Sequence, residues 1–234
     1  MTNTIREQII LAILARVTEI KTTAGYNTNC GDTVLRAIKL IDPDSLPSIT
    51  VWPQVEEFEK IYNKNVCTMP IKIEGVLAYG LNDYSVMAEA MLGDIIENIQ
   101  GTEWILPYTT GSTEIEVGDT ITGATSAATA YVCGITLGTG TWLGGDAAGN
   151  LTLRRLSGTF SAENLKIDGN VVAATTGTIT ATSSIANTTG GLAQSITYVS
   201  GGTEDYPDLN DISVSVALTF NIKYITIAGN PYAQ

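Results

Sequence analysis

The chain contains no histidine. That removes the commonest general base, the commonest metal ligand and every catalytic triad built on imidazole. Cysteine is scarce: Cys30, Cys67 and Cys133 are widely spaced and odd in number. They form no CxxC pair and no zinc spacing, and they read as reduced thiols of a cytoplasmic protein. Positive charge is short, with 12 Lys and Arg against 24 Asp and Glu and a net charge of −12. A surface that grips DNA or RNA needs clustered Lys and Arg, so that class is disfavoured; an acidic protein still surrounds nucleic acid without holding it. Long apolar runs are missing as well, and nothing approaches the roughly 18 apolar residues that span a bilayer. The run Ile9 to Ala15 has Glu7 beside Arg6 before it and Arg16 closing it, and no small-residue cleavage site follows. No signal peptide is read there, and the protein is expected to be soluble and to stay where it is made.

The motifs of chemistry are missing in turn. "LGTGTWLGG" holds Gly138 and Gly140 but no third glycine at the dinucleotide spacing, and no Lys-Ser/Thr pair for a phosphate loop. No serine sits in Gly-x-Ser-x-Gly. Glu204, Asp205, Asp208 and Asp211 lack the spacing of a calcium loop and read as a solvated acidic loop. "EEFE", Glu56 to Glu59, reads as a charged face, and Arg154 with Arg155 as one small basic spot. The sequons at Asn150 and Asn187 matter only in a secreted protein. The chain is therefore read as a non-enzyme with no catalytic residues, no cofactor and no metal.

What is present is patterned. A length of 234 residues holds one large domain or two small ones, each with a real core. Ile5, Ile9, Ile13, Val17 and Ile20 recur at helical steps and predict a helix over 3–22, with Thr4 and Glu7 resembling a capping box. Short strands are expected at "TVLRAIKLI" and "SITVW". "VEEFEKIYNKN" fits a turn of helix or a solvated strand edge. "VCTMPIKIEGVLAYG" alternates along 66–80, interrupted by Gly75, and Pro70 there argues for an edge or a bulge. A second helix is expected over 83–100, with Asp83 as N-cap and a core stripe of Met87, Met91, Ile95 and Ile99. "EWILPY" follows as a strand. Near the end, Ile212, Val214, Val216, Leu218, Phe220, Ile222 and Tyr224 share one face of a long strand, 212–227, which must pack on helices.

Between Thr109 and Gly191 the composition changes to Gly, Thr, Ala and Ser, and charges thin out. Strand signals continue at "EIEVGDTITG", "AATAYVCGITL", "GTWLGG", "NLTLRRLSG", "KIDGNVVAAT" and "GTITATS", separated by Gly or Asn turns. That spacing marks a small all-β module. The expected organisation is a discontinuous α+β domain, 1–108 and 192–234, with an inserted β module over 109–191 in a loop where added length costs little.

The closing "FNIKYITIAGNPYAQ" resembles the C-terminus of bacteriophage tail terminator (tail completion, head-tail joining) proteins. These end in a long strand carrying Tyr-x-Thr and then a Gly-Asp/Asn-Pro-Tyr turn. The matching positions are Tyr224, Thr226, Gly229, Asn230, Pro231 and Tyr232. The strand pair begun by "LAQSITYVSGGTEDYPDL", the opening helix "IREQIILAILARV" and the later helix "MAEAMLGDIIENI" are similar to that family too, over 1–108 and 192–234. Ile225 and Ile227 depart from it, standing where a basic residue would be no surprise. The insertion, "GDTITGATSAATAYV" with "GTW" and "GDAAGNLTLRRLSGTF", resembles a β module scattered through phage structural proteins, usually for decoration or a side interaction.

The resemblance implies a tail-terminator-like sheet with two packed helices plus the inserted all-β domain. It implies a hexameric ring that caps the tail tube, stops its polymerisation and meets the head-side connector, with the six matching residues as candidate ring contacts. Tail tube protein and connector are the implied partners. DNA passes without specific binding and no membrane is involved; assembly takes place in the host bacterial cytoplasm and the protein ends in the virion neck. The alternatives are another tail or connector component, or a carbohydrate-binding module in which Trp142 or Tyr131 stacks on sugar.

Overall fold

A computed structural model describes residues 2–38, 43–78, 84–182, 188–205 and 213–234. Two compact units divide the chain. Met1–Thr22, Tyr26–Gln100 and Ser184–Gln234 form the first, and Thr23–Gly25 with Gly101–Ser183 form the second. Several sequence expectations fall outside the described residues: the N-cap at Asp83, the strand ends at Tyr79 and Ile212, the sequon at Asn187, and Asp208 and Asp211 of the acidic loop.

The α+β expectation, a sheet with two packed helices, is overturned. Among the described residues 50% are strand, in two sheets, with two α-helices, so the fold is β-rich. The physical reason is strand length. The helical stripes are strong signals but short, α1 running Ile5–Val17 and α2 Tyr84–Gln100. β4 (Lys64–Ala78) and β13 (Ser213–Ile227), 15 residues each, keep the strand lengths expected; β3 (Glu57–Ile61) takes the strand-edge alternative within "VEEFEKIYNKN", and β12 (Ala193–Asp205), 13 residues, runs on past "SITYVSGG" to Glu204 and Asp205, which read as loop.

The first unit is built on a sheet of order β1–β2–β4–β13–β12, with β1 at Thr33–Arg36, β2 at Ser48–Pro53 and β3 attached to β4. β4 and β13 are antiparallel over their whole lengths, from Ser213 opposite Ala78 to Ile227 opposite Lys64. On one face lie Met69, Ile71, Ile73, Val216, Leu218, Phe220, Ile222 and Tyr224, all buried. Gly75 falls in this apolar row because a Cβ there would collide with the Met91 sulfur of α2. The glycine lets helix and sheet approach closely.

Pro70 is not at an edge, since β4 is an interior strand; it lies at an irregularity of the pairing, where residues 54–56 stand opposite 69–70. β2 pairs with β4 at Ile71–Val76 and β3 pairs at Lys64–Thr68. Pro70 sits at the break between them. Its carbonyl accepts from Gln54 N on that side, so its missing N–H also faces the break, where no ladder bond is lost.

α1 opens with half of a capping box. Thr4 Oγ1 accepts from Glu7 N at 3.1 Å, but the Glu7 carboxylate takes Arg36 instead, at 2.6 and 2.8 Å. That pairing holds Glu7 below the usual carboxylate range. Asp94, fully buried on α2, accepts from the backbone N–H groups of Asn27 and Thr28 and from both their side chains, which pins the segment after α1. Burial pushes the nearby Cys30 thiol up to about 12, so it stays a packed, unreactive group.

The second unit is a closed barrel. Its strands are β5 (Glu103–Gly111), β6 (Thr120–Gly123), β7 (Thr129–Thr139), β8 (Ala147–Ser157), β9 (Glu163–Ile167), β10 (Asn170–Thr175) and β11 (Thr180–Thr182). The order β10–β9–β6–β7–β8–β5 returns to β10 through Ala174 opposite Thr109 and Thr175 opposite Tyr108. β5 lies wholly in this unit, while the composition shifts only at Thr109. β11 pairs with the start of β5, so the first and last strands of the unit are neighbours. "GTWLGG", read as a strand, is the turn at the β7–β8 tip, because Asp146 accepts from Thr141 N and Thr141 Oγ1 accepts from Gly144 N.

Candidate docking cleft

One end of the first unit brings together residues far apart in sequence. Tyr224 and Thr226 leave β13 on the buried face, 1% and 5% exposed. The chain then turns at Gly229, whose φ of +80° suits glycine. Asn230 bridges back to Ile227, and its Oδ1 accepts from Tyr232 N at 3.1 Å. Ile227 N donates to Ala233 O, Ala228 N to Asn63 O at the β3–β4 turn, and Ile5 N to Pro231 O at 2.9 Å. The C-terminal turn therefore satisfies one of the free N–H groups at the start of α1.

Between this turn, α1 and β3 lies a cleft of about 290 Å³. Tyr224, Thr226 and Pro231 line it, together with Arg6, Glu56, Phe58 and Cys67. Gly229, Asn230 and Tyr232 do not; they shape the turn, and Tyr232 is 53% exposed. So three of the six candidate residues meet at one cleft and three build the bend beside it.

The charges in the cleft are internally matched. Tyr224 donates its hydroxyl to Glu56 Oε2 at 2.5 Å, and Arg6 Nε stands 3.2 Å from the same oxygen. Burial, with the Glu56 carboxylate beside it, pushes the Tyr224 phenol well above its ordinary range, so it is a fixed donor. Burial, reinforced by Glu56, likewise raises the Cys67 thiol. A protonated thiol is a poor nucleophile. The arrangement suits holding a side chain better than performing a reaction.

Glu56 and Phe58 were missed as site residues, because "EEFE" reads as a charged face. The partner of Glu56 lies 168 positions away, and no local pattern signals it. In the second unit, Trp142 stacks on Tyr108 with centroids 5.2 Å apart and planes 5° from parallel. One Trp142 face is thus committed to the protein itself, and Tyr131 is only partly exposed. No described helix is long and apolar enough to cross a membrane. Compared with known proteins, the chain matches no family model and no curated protein.

Proposed function

We propose that this chain is a structural subunit of a bacteriophage tail: a tail terminator whose copies form a hexameric ring, cap the tube, stop its growth and meet the head-side connector while DNA passes through. The proposal starts from the resemblance in the terminal strand and turn. The observation that carries it is the convergence of Tyr224, Thr226 and Pro231 with the start of α1 and with β3 at one cleft. Motif residues that meet around an open recess, with their own charges matched, suit a contact between proteins. The net charge of −12 supports a channel that lets DNA slide without binding it.

Negative-stain images and solution mass of the purified protein, alone and mixed with polymerising tail tubes, test the reading. Six-membered rings with open centres, and tubes that stop growing at ring-capped tips, are expected. A protein that forms no ring either alone or on tube tips, and leaves tube growth unchanged, would refute it. No observation favours the carbohydrate alternative, since the Trp142 ring is already stacked.

A further inference from the structure

β12 is the outermost strand of the first unit's sheet. Among the described strands it pairs with β13 alone, so one side of its backbone has no ladder partner. Which groups point that way follows from the register. Ile61 and Lys64 close a two-residue turn and so exchange ladder bonds. Alternation across β4 and β13 then gives the bonds toward β12 to Thr219 and Ala217, whose partners are Ser200 and Gly202. The backbone N–H and C=O groups of Gly201 and Thr203 therefore point outward. The same alternation sends the Ile196 carbonyl outward, and there Gln100 Nε2 donates to it at 3.0 Å. From Tyr198 to Thr203 the outward backbone groups have no partner among the described residues.

Open edges are normally blunted by charge. β3 shows that device, with Glu57, Glu59 and Lys60 among its five residues. β12 carries no charge from Ala193 to Thr203, and Gly201 and Gly202 leave its margin bare of side chains. The register break at Tyr198–Ser200 stops short of the two glycines. The occupant that fits is the same stretch of a second copy. Laid antiparallel about a two-fold axis at Gly202, Gly201 faces Thr203 of the second copy, and Thr203 faces its Gly201. Both pairs turn their bonding groups toward each other, which makes a self-complementary set of ladder bonds. Glu204 falls opposite Ser200, so no charge meets a charge along the strands. β3 of a second copy fits less well: run antiparallel with Phe58 and Lys60 on Thr203 and Gly201, it sets Glu57 against Glu204. Glu89 stands beside the margin, its carboxylate 3.4 Å from Thr203 Oγ1. Two-fold pairing brings two of these carboxylates toward the axis, so the contact tightens as salt rises.

We infer that the β12 margin from Tyr198 to Thr203 joins two copies of this chain edge to edge, its occupant being the same margin of the second copy. The contact is two-fold and stops at two copies, so it is separate from the head-to-tail contacts of the ring reading and does not depend on them. Gly202 lies on the axis, in a pair without ladder bonds. Such residues stand about 4.5 Å apart at Cα, within disulfide reach. A Cβ on Gly202 meets nothing within 4 Å, so cysteine is accommodated there. The test oxidises full-length Gly202→Cys with oxidised glutathione, beside wild type and Val199→Cys, and reads covalent dimer on non-reducing gels. Gly202→Cys is expected to cross-link at least about tenfold faster than either control, because pairing raises the local thiol concentration. Adding Thr203→Pro removes an outward N–H and no bond to β13, so the rate should fall to that of the controls with an unchanged circular dichroism spectrum. Should Thr203→Pro misfold, Glu89→Gln decides instead, and it should quicken the cross-linking of Gly202→Cys. Equal rates for Gly202→Cys and Val199→Cys would overturn the inference, as would a rate that a folded Thr203→Pro leaves unaltered or that Glu89→Gln does not raise. Rings that form while Gly202→Cys cross-links at the control rate would overturn the pairing and leave the ring reading standing. A cross-linked pair without rings would do the reverse.

Discussion

The Glu163 carboxylate of the second unit accepts five hydrogen bonds, and replacing it tests how the barrel is held. Its Oε2 accepts from Thr125 N at 2.5 Å and Ser126 N at 2.9 Å. Its Oε1 accepts from Ser126 Oγ at 2.6 Å, Ser161 N at 2.9 Å and Ser161 Oγ at 3.2 Å. Burial alone would raise its pKa, but these donors outweigh burial and lower it from 4.5 to about 2. Because the folded state favours the ionised form, the contribution is fully present above the ordinary value of 4.5. It drains away as pH falls towards 2. At about 1.4 kcal/mol per unit, that depression amounts to roughly 3 kcal/mol. Solvent around the turn reduces this to about 2 kcal/mol. Glu163→Gln keeps one acceptor oxygen and sets an NH2 group against two backbone N–H donors, for a loss of the same order, about 2 kcal/mol. The thermal transition of the second unit is expected to drop by roughly 8–16 °C at neutral pH. Amide exchange at Thr125, Ser126 and Ser161 should quicken. The gap between wild type and variant should shrink as pH is lowered from about 5 to about 2. A variant that melts with wild type at neutral pH, or a gap that does not change with pH, would refute the reasoning.

The buried pair Arg154–Glu103, joined at 2.5 Å with side chains 6% and 4% exposed, gives a second test. Glu103→Gln should cost about 3–5 kcal/mol in denaturant unfolding by removing the carboxylate from a buried ion pair, whereas Glu103→Leu with Arg154→Met should recover most of that loss. Tyr224→Phe keeps the buried ring and removes only the donor to Glu56, so it should cost about 1–2 kcal/mol in thermal melting without loss of fold. Gly75→Val forces the Met91 side chain from its place against the sheet and should cost about 1–3 kcal/mol in the same assay.

Much of the first unit was legible because single-strand periodicity suffices for it. Val216 to Tyr224 alternate cleanly, and each expected apolar residue described there is buried. Met91, Ile95 and Ile99 are buried along α2 as their spacing predicts. Periodicity could not choose between a turn of helix and a solvated strand edge for "VEEFEKIYNKN", because β3 carries charge on three of its five residues and is exposed throughout; it is the strand edge, since β4 extends past β2 and leaves backbone groups to pair. The cleft failed for a related reason. Tyr224, Thr226 and Pro231 were singled out by resemblance, but Arg6 and Glu56 join them only through the fold.

The second unit shows why a composition signal can name a class and still hide the structure. The Gly-Ala-Thr run of "TGATSAATA" looks featureless as sequence, yet several of its positions answer a constraint. A Cβ on Gly123 would strike the Glu163 carboxylate, so glycine makes room for the nest. Thr125 and Ser126 supply its donors, and Ala127 takes a left-handed φ of +56°. Ala128 and Ala130 then point into a core that also holds Leu106, Leu151, Leu153, Phe160 and Leu165. Six strands enclose a narrow barrel, in which large side chains fit only where small ones face them. Alanine is therefore a packing requirement here, not filler. Closure itself rests on two residue pairs between β10 and β5, too few to leave any periodicity in the sequence. A local pattern predicts strands; whether the last strand finds the first depends on twist and on core volume summed over the whole unit, and those sums are written in the small residues rather than the hydrophobic ones.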